Sequence, residues 1–441
     1  MAQFFVNKPK RPKKMSAKMT LTMMQLDHLG AGVAHHQGKV VFTPKALAGE
    51  TVELQLVEQK KKFAKGKLIK VVTPSPDRTV PECQYYDECG GCDLQHLSID
   101  AQRQHKLSTL SQLMEKLAKV TPPKPELISG EAWRYRRRAK LATSYDKESH
   151  RLKVGFRKSA SRDVIDIAHC KVLPETLDKL IQPVSDVLNK LKGVKRLGHI
   201  ELIQGDTQSF VVIRTPELLS EGDKRALGDF AKQHQITLVL QHKDNHFELI
   251  HGDELLPSYQ LSDTRLQFTP GSFVQVNTEI NQNMVEQAID WLQPKADERI
   301  LDLFCGMGNF SLPLAKAGAK VIGVEGVESA VEQAKNNAKD NKLDNLEFYA
   351  CDLSADLSKQ PWLGKIDKLL LDPARAGAFE CLQWLKKLNP KQVLYVSCDP
   401  SSLSRDTKVL LDHGYQLQKL AMIDMFPQTH HIEAMALFSK K

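Results

Sequence analysis

LDLFCGMGNF (residues 301–310) starts as an apolar, strand-like run and breaks at Gly306-Met307-Gly308 into a turn that leads toward a helix-forming stretch. A strand that empties into a Gly-rich turn opens an α/β sheet of the cofactor-binding sort. There the backbone can approach a ligand beyond the carboxyl end of the strand. The turn lacks the third glycine of a dinucleotide fingerprint, which favours a cofactor whose anionic group is smaller than a pyrophosphate. From about Leu266 onward the pattern alternates strictly. ERILDLF, KVIGVE, LEFYA, KLLLD, QVLYVS, YQLQKLAMIDMF and EAMALFS read as seven strands, with amphipathic helical stretches between the first six. The alternation predicts a mostly parallel sheet with helices on both faces, closed by an antiparallel edge.

Carboxylates follow the successive strands of this sheet. Glu325 ends the second strand, 19 residues past Gly306, where a carboxylate can accept both ribose hydroxyls. Asp352 follows the third at a level suited to an adenine amino group, and Asp372 ends the fourth in a DPAR turn. A GxG turn with this acidic series fits S-adenosylmethionine better than NAD. Capping of the following helices accounts for Asp352 but poorly for all three.

VLYVSCDPSS (residues 393–402) places Cys398 after an apolar, β-branched run and before a helix-like segment. Thirty-five residues later FPQTHHIEAM puts Glu433 at the mouth of the final strand. A lone buried cysteine is most often a small core residue. A cysteine and a carboxylate on the cofactor side of one sheet point instead to covalent catalysis, with thiolate as the nucleophile.

At 441 residues the chain is long enough for two or three domains with full cores. Its longest apolar runs are strand-sized, which excludes a membrane-spanning segment, and the N-terminal stretch has no secretory pattern. Eight cysteines in that setting predict reduced thiols and a cytoplasmic protein. The net charge of +9 is unevenly placed. Residues 1 to 20 hold six Lys or Arg and no acid; Lys60, Lys61, Lys62, Lys65, Lys67 and Lys70 form a second run. Arg134, Arg136, Arg137, Arg138 and Lys140 form a third, interleaved with Trp133 and Tyr135. Together they favour a polyanion partner, although each alone is as readily a solvated face.

Four segments follow: a basic flexible arm (1–19), a small β-barrel of the oligonucleotide-binding sort (20–75), a central α+β domain (82–265) and the cofactor domain (266–441). A Pro-rich linker, TPSPDRTVP, separates the barrel from the centre. The central domain opens on ECQYYDECGGCDLQH, a C-x5-C-x2-C run through Cys83, Cys89 and Cys92, with Cys170 the remaining cysteine of this half. Four thiolates suit either a [4Fe–4S] cluster or structural zinc. Cys305, Cys351 and Cys381 read as structural, Cys305 backing the glycine turn. His430 and His431 read as loop-fixing or substrate contacts.

PGSFVQVN (270–277), LDLFCGMGNF, LLLDPARAG, VLYVSCDP and FPQTHHIEAM together resemble the RNA uracil-C5 methyltransferase family over essentially the whole chain. The barrel resembles a TRAM domain, and the cysteine set resembles that of the iron–sulfur branch acting on 23S ribosomal RNA. The resemblance implies a C-terminal Rossmann-like class I methyltransferase domain, with Cys398 as nucleophile and Glu433 as base. It implies that Gln275, Phe304, Asn309, Glu325, Asp352 and Asp372 line the S-adenosylmethionine site. It implies a [4Fe–4S] cluster on Cys83, Cys89, Cys92 and Cys170, and a monomer. CDP stands where Cys-Asn-Pro is common, without removing a group the chemistry needs. Cytosine-C5 enzymes carry their nucleophile in a Thr-Cys turn after a different strand, so uracil is favoured. Transfer RNA methylation and a non-catalytic iron–sulfur RNA-binding protein are the other readings. Radical methylthiotransferases are disfavoured, because their C-x3-C-x2-C loop is missing.

Overall fold

In the computed structural model, which describes residues 17–244 and 246–440, the chain divides into two compact units. One gathers the described part of residues 1–82 with 93–105 and 428–430. The other holds 83–92, 106–427 and the residues from 431 onward.

The first unit is built on β1 (Lys18–Thr22), β2 (Gln25–Leu26), β3 (Gly32–His36), β4 (Lys39–Thr43), β5 (Thr51–Gln59) and β6 (Phe63–Thr73), in the sheet order β1-β5-β6-β4-β3-β2. Alternation in β5 buries Val52, Leu54 and Leu56, the period-2 pattern of a sheet with one wet face. Between the two edge strands, Met23 N–H donates to Glu50 O (2.8 Å) and Met24 N–H to Val33 O (2.7 Å), so the sheet curls shut. The expected arm lies outside the described residues except for its last three, of which Lys18 and Met19 belong to β1. The expected linker is not loose. Arg78 Nη2 donates to buried Glu50 Oε2 (2.8 Å), and Ser75 N–H to its Oε1 (3.2 Å).

The second unit contains α1's last turns; α1 (Ile99–Leu113) continues as a π-turn, Met114–Ala118. After β7 (Glu126–Ile128) comes a seven-stranded sheet ordered β10-β9-β8-β11-β12-β13-β14. Its strands are β8 (Arg138–Asp146), β9 (Arg151–Arg157), β10 (Val164–Asp166), β11 (Ile200–Gln204), β12 (Ser209–Thr215), β13 (Thr237–His242) and β14 (Phe247–His251). The helices α2 (Glu175–Asp178), α3 (Ile181–Lys190) and α4 (Glu221–His234) accompany it, and a hairpin, β15 (Ser258–Leu261) and β16 (Thr264–Gln267), follows.

The eight-stranded sheet is ordered β19-β18-β17-β20-β21-β23-β22-β7. It comprises β17 (Arg299–Leu303), β18 (Lys320–Glu325), β19 (Leu346–Ala350), β20 (Lys368–Leu371), β21 (Gln392–Ser397), β22 (Tyr415–Ile423) and β23 (Glu433–Lys440), with β7 added. Every pairing is parallel except those of β23, which runs antiparallel to both neighbours. The central strands are apolar throughout because both faces are covered. The helices α5 (Thr278–Leu292), α6 (Ser311–Lys316), α7 (Glu328–Asp340), α8 (Phe379–Leu382), α9 (Leu385–Leu388) and α10 (Pro400–Asp412) supply much of that cover.

The seven expected strands are present, but the boundary expected at residue 265 is not a structural one. β7, from the expected central segment, pairs with β22; Leu110, Met114 and Ala118 join the core on one face of the eight-stranded sheet. Ile203, Phe210 and Val239 of the seven-stranded sheet share the core on its other face with α5 residues Ile280 and Met284. No helix among the described residues is long and apolar enough to cross a membrane.

Candidate active site

The carboxyl end of the eight-stranded sheet gathers the chemistry. In the antiparallel ladder of β21 and β23, Ser397 pairs with Ala434, so one further step along that register sets Cys398 opposite Glu433. On the other side of β21, Leu371 pairs with both Leu303 and Tyr395. Asp372 therefore leaves β20 between the glycine turn and the Cys398 turn. Asp399 caps α10, its Oδ1 accepting from Ser401 N–H (3.0 Å) and Ser402 N–H (2.8 Å), so the half-buried Cys398 sits where strand turns to helix.

The electrostatics bind these groups together. Burial, then the carboxyls of Glu433 and Asp372, push the Cys398 thiol up to about 11, against a smaller lowering by Arg375. Glu433 is buried and its Oε2 has no hydrogen-bond partner. Burial and then Asp372 raise its pKa to about 8, while Lys106 acts the other way. Asp372 is raised to about 7 by burial. Asp302, wholly buried in β17, is raised to about 8 by burial, with Ser311 Oγ donating to its Oδ2 (2.5 Å) and its Oδ1 unpartnered. Such a file of acids pushed toward neutrality is characteristic of functional sites. It also suits a cationic ligand, whose charge offsets the cost of ionising them.

Sequence reasoning missed Lys106 and Asp302. Lys106 is fully buried, with Nζ 2.7 Å from the equally buried Asp424 Oδ1 and 3.1 Å from Phe426 O. Asp302 could have been found as an acid inside an otherwise apolar strand; Lys106 carried no signal, since its partner lies 318 residues away. Arg375, in the DPAR turn, is a third addition.

The expected cofactor residues divide. Phe304 takes the left-handed backbone (φ 67°) as β17 enters the turn, and Gly306 (φ 54°) has open space where a side chain would project. Glu325 fixes this loop, its Oε2 accepting from Gly306 N–H (3.2 Å) and its Oε1 from Gly326 and Val327 N–H (2.7 and 3.1 Å). Asp352 is exposed and its Oδ1 accepts from Ser354 N–H and Oγ in a local turn; it does not cap a following helix as weighed from sequence, because the short helical turn Leu357–Lys359 is capped by Asp356. Asn309 exchanges hydrogen bonds with Asn281 (2.9 and 3.0 Å) and accepts from Tyr259 OH (2.9 Å), so its side chain is anchored to α5 and the β15 strand. Gln275 is buried just ahead of Asn277, which caps α5. Buried Cys305 lies behind the turn, where a side chain at Gly323 would meet its Sγ, and buried Cys381 Sγ donates to Leu353 O (3.1 Å). Cys351 accepts from Gln360 Nε2 (3.8 Å). His430 is a loop fastener, its backbone N–H and Nδ1 both bonded to Asp93; the His431 ring meets Phe426 edge-on.

The four other cysteines share one neighbourhood. Tyr85 OH accepts from Ala168 N–H (3.0 Å), tying the Cys83–Cys92 loop to the Cys170 segment. Cys83 raises the Cys89 thiol, and Cys89 and Cys83 both raise Cys170, which burial first pushes up to about 12. Backbone N–H groups turn toward sulfur: Gly91 toward Cys89 (3.4 Å), and Val172 and Leu173 toward Cys170. Donors of this kind stabilise ligating thiolate. Among the described residues, no group of three or more His, Cys, Asp or Glu that could hold a metal ion is formed.

The third basic run proves largely structural. Arg134 pairs with Asp178 (3.0 Å), Arg137 with Asp206 (3.0 Å), and Arg138 with Glu201. Arg136 lies over the Phe426 ring. Only Lys140 of that run keeps the character of a solvated cation, exposed on β8.

Comparison with known proteins gives a consistent picture. The model of the family described as tRNA (Uracil-5-)-methyltransferase matches residues 98–441, and that of the TRAM domain matches residues 17–69. A protein of Shewanella sediminis (strain HAW-EB3), 23S rRNA (uracil(1939)-C(5))-methyltransferase RlmD, is 58% identical over 440 residues, covering 99% of each chain. The protein of that name from Shewanella halifaxensis (strain HAW-EB4) is 56% identical over 444 residues and 100% of each. Among solved structures, Pyrococcus abyssi tRNA (uracil-54, C5)-methyltransferase in complex with S-adenosyl-L-homocysteine superposes with a TM-score of 0.75 at 25% identity. It covers 95% of this chain and 100% of that one.

Proposed function

The chain belongs to the tRNA (uracil-5-)-methyltransferase family, and from that membership we propose that it methylates C5 of a uracil in 23S ribosomal RNA by covalent catalysis. The relatives acting on 23S rRNA, at 58% identity, favour that substrate over transfer RNA. The observation that carries the mechanism is the facing of Cys398 and Glu433 across the β21–β23 register, with Asp372 beside both.

Uracil C5 is too weak a nucleophile to take a methyl group unaided. Cys398 thiolate would add to C6, with the C5=C6 electron pair moving toward C5 and O4; C5 would then take the methyl group as the methyl–sulfur bond breaks and its electron pair stays on sulfur, leaving a neutral thioether. S-adenosylmethionine, when bound, supplies that methyl as an electrophile on a sulfonium cation. Glu433 then removes the C5 proton, the double bond re-forms, and the C6–S bond breaks to return the thiolate. A carboxyl held near 8 suits the base, because it is neither too weak nor fully protonated at neutral pH. Burial opposes the ionisation of Asp302, Asp372 and Glu433, and the charge of a bound sulfonium would offset part of that cost. Phe304 and Gly306 would shape the turn toward the cofactor, and Glu325, which already braces that turn through Gly306 N–H, would meet its ribose; Gln275, Asn309 and Asp352 complete the proposed set. Asp372 follows β20 between the glycine turn and the Cys398 turn, and its effect on both Cys398 and Glu433 favours contact with the reacting uracil as well as with the cofactor. The target base must leave its stack to reach Cys398.

The second element of the proposal is a [4Fe–4S] cluster on Cys83, Cys89, Cys92 and Cys170. The tether through Tyr85 and the N–H donors aimed at sulfur support it, since ligating cysteines must be held as thiolate. A ribosomal RNA substrate supports a cytoplasmic location.

Trapping tests the chemistry. Cys398→Ala should lose methyl transfer while keeping S-adenosylhomocysteine binding. Glu433→Gln should form a methylated protein–RNA adduct that resists denaturant and resolves slowly. Methylation by Cys398→Ala near the native rate would overturn the covalent route.

A further inference from the structure

Against β8 and β9 of the seven-stranded sheet lies a groove of about 740 Å³ that no step above uses. Its lining includes Lys140 of β8, Phe156 and Arg157 of β9, Lys158, His199 and the Gly90–Gly91 backbone of the cysteine loop, and no carboxylate. Lys140 and Arg157 are exposed. The Arg157 guanidinium donates to Arg162 O (2.7 Å), a neutral acceptor that leaves its charge uncompensated. Lys158 is different, being paired with Glu88 (2.6 Å), and it marks the border with a smaller depression that Glu88, Asp163 and Asp166 line. That depression also carries Lys153, but it is paired with Asp146 (3.0 Å), so the cations without a carboxylate partner lie on the groove's side of the border. His199 reports the resulting field: burial first, then Lys140 and Arg214, hold its pKa down to about 4, so the ring is neutral at physiological pH. Half-buried Phe156 adds a ring face to the floor.

A wide cleft with uncompensated cations, backbone glycines that allow close approach and an aromatic face is the combination that holds single-stranded nucleic acid. The cations track phosphates and the ring stacks a base. We infer that this groove is a second RNA-contact site of the enzyme, which grips the backbone of the substrate away from the nucleotide being methylated. The inference rests on the RNA-methyltransferase reading above, and it assigns the phosphate-binding role to residues other than the arginine run. Arg134, Arg137 and Arg138 already spend their charge on Asp178, Asp206 and Glu201. Phosphate contacts of this kind add affinity and orientation without reading sequence.

The full-length protein, a folded 23S rRNA fragment and a salt series decide it. Each lost phosphate contact flattens the plot of log affinity against log salt by about 0.7 to 0.9. Lys140→Gln should therefore lower the slope by about that amount, and Lys140→Ala/Arg157→Ala by about 1.4 to 1.8. Between about 50 and 200 mM salt, the wild type should lose about seven- to twelvefold more affinity than the double variant. Melting temperature and S-adenosylhomocysteine affinity should be unchanged, because both side chains are exposed. An unchanged slope in both variants, with the wild type binding and methylating the fragment, would overturn the groove and leave the function standing. Failure of the wild type itself to methylate the fragment would overturn the function instead.

Discussion

Lys106→Met removes an ammonium from the interior while keeping most of the stem's volume. Both members of the Lys106–Asp424 pair are fully buried at 2.7 Å, so the change strands Asp424 without its ion pair. Breaking a buried pair from one side costs about 3–5 kcal/mol. The unit that holds both residues contains about 340 residues, and unfolding entropy near 2.1 cal/mol/K per residue amounts to about 0.7 kcal/mol/K. The expected loss is therefore about 4–7 °C in melting temperature. A second effect separates position from mere stability. Lys106 lowers the carboxyl of Glu433, so without it that pKa rises beyond about 8. The base must be ionised to act, and the acid limb of the kcat–pH profile should move to higher pH. Lys106→Met/Asp424→Leu should recover most of the stability, since replacing the whole pair by apolar groups is often near neutral. It should not restore the pH limb. Differential scanning fluorimetry and single-turnover methylation across pH read the two effects. If Lys106→Met melts with the wild type and its pH limb stays in place, the pair neither holds the core nor tunes the base.

Stability of the unliganded protein should fall as pH rises from about 4 to about 8. Asp302, Asp372 and Glu433 are held at about 8, 7 and 8, above their unfolded values, so through that range the folded chain keeps protons that the unfolded chain has released. Glu433→Gln should make the fall shallower, and the same slope in both proteins would contradict the assigned shifts. Protein purified without oxygen should be brown from thiolate-to-iron charge transfer, and Cys170→Ser should bleach it about as much as Cys89→Ser does. A colourless, fully active protein holding stoichiometric zinc would refute the cluster.

The parts of this molecule that were legible in the sequence are those where local pattern and global role coincide. LDLFCGMGNF could be read because a strand covered on both faces must be apolar, and because glycine is the residue that most readily takes the left-handed backbone of Gly306 and Gly308. Cys398 and Glu433 could be read because strand ends are where such sheets keep their chemistry. β7 was not legible: Glu126, Leu127 and Ile128 are too few to show a period, and only tertiary pairing with β22 makes them a strand. Neither was the fate of the basic run. A row of arginines looks alike whether it faces phosphate or a carboxylate of the same chain, and Asp178, Asp206 and Glu201 lie 44, 69 and 63 residues from their partners.

β23 is the last strand in sequence, yet it is threaded between β21 and β22 and not laid on an edge. While the chain is being made, the sheet must keep a vacant slot there, with the facing rows of β21 and β22 amides unsatisfied. Glu433 enters with that strand, so a nascent chain carries Cys398 before it carries the residue that faces it. Completion of the sheet and completion of the Cys398–Glu433 pair are the same event, and on the proposed mechanism a folding intermediate that lacks β23 has no base with which to release a methylated uracil from Cys398.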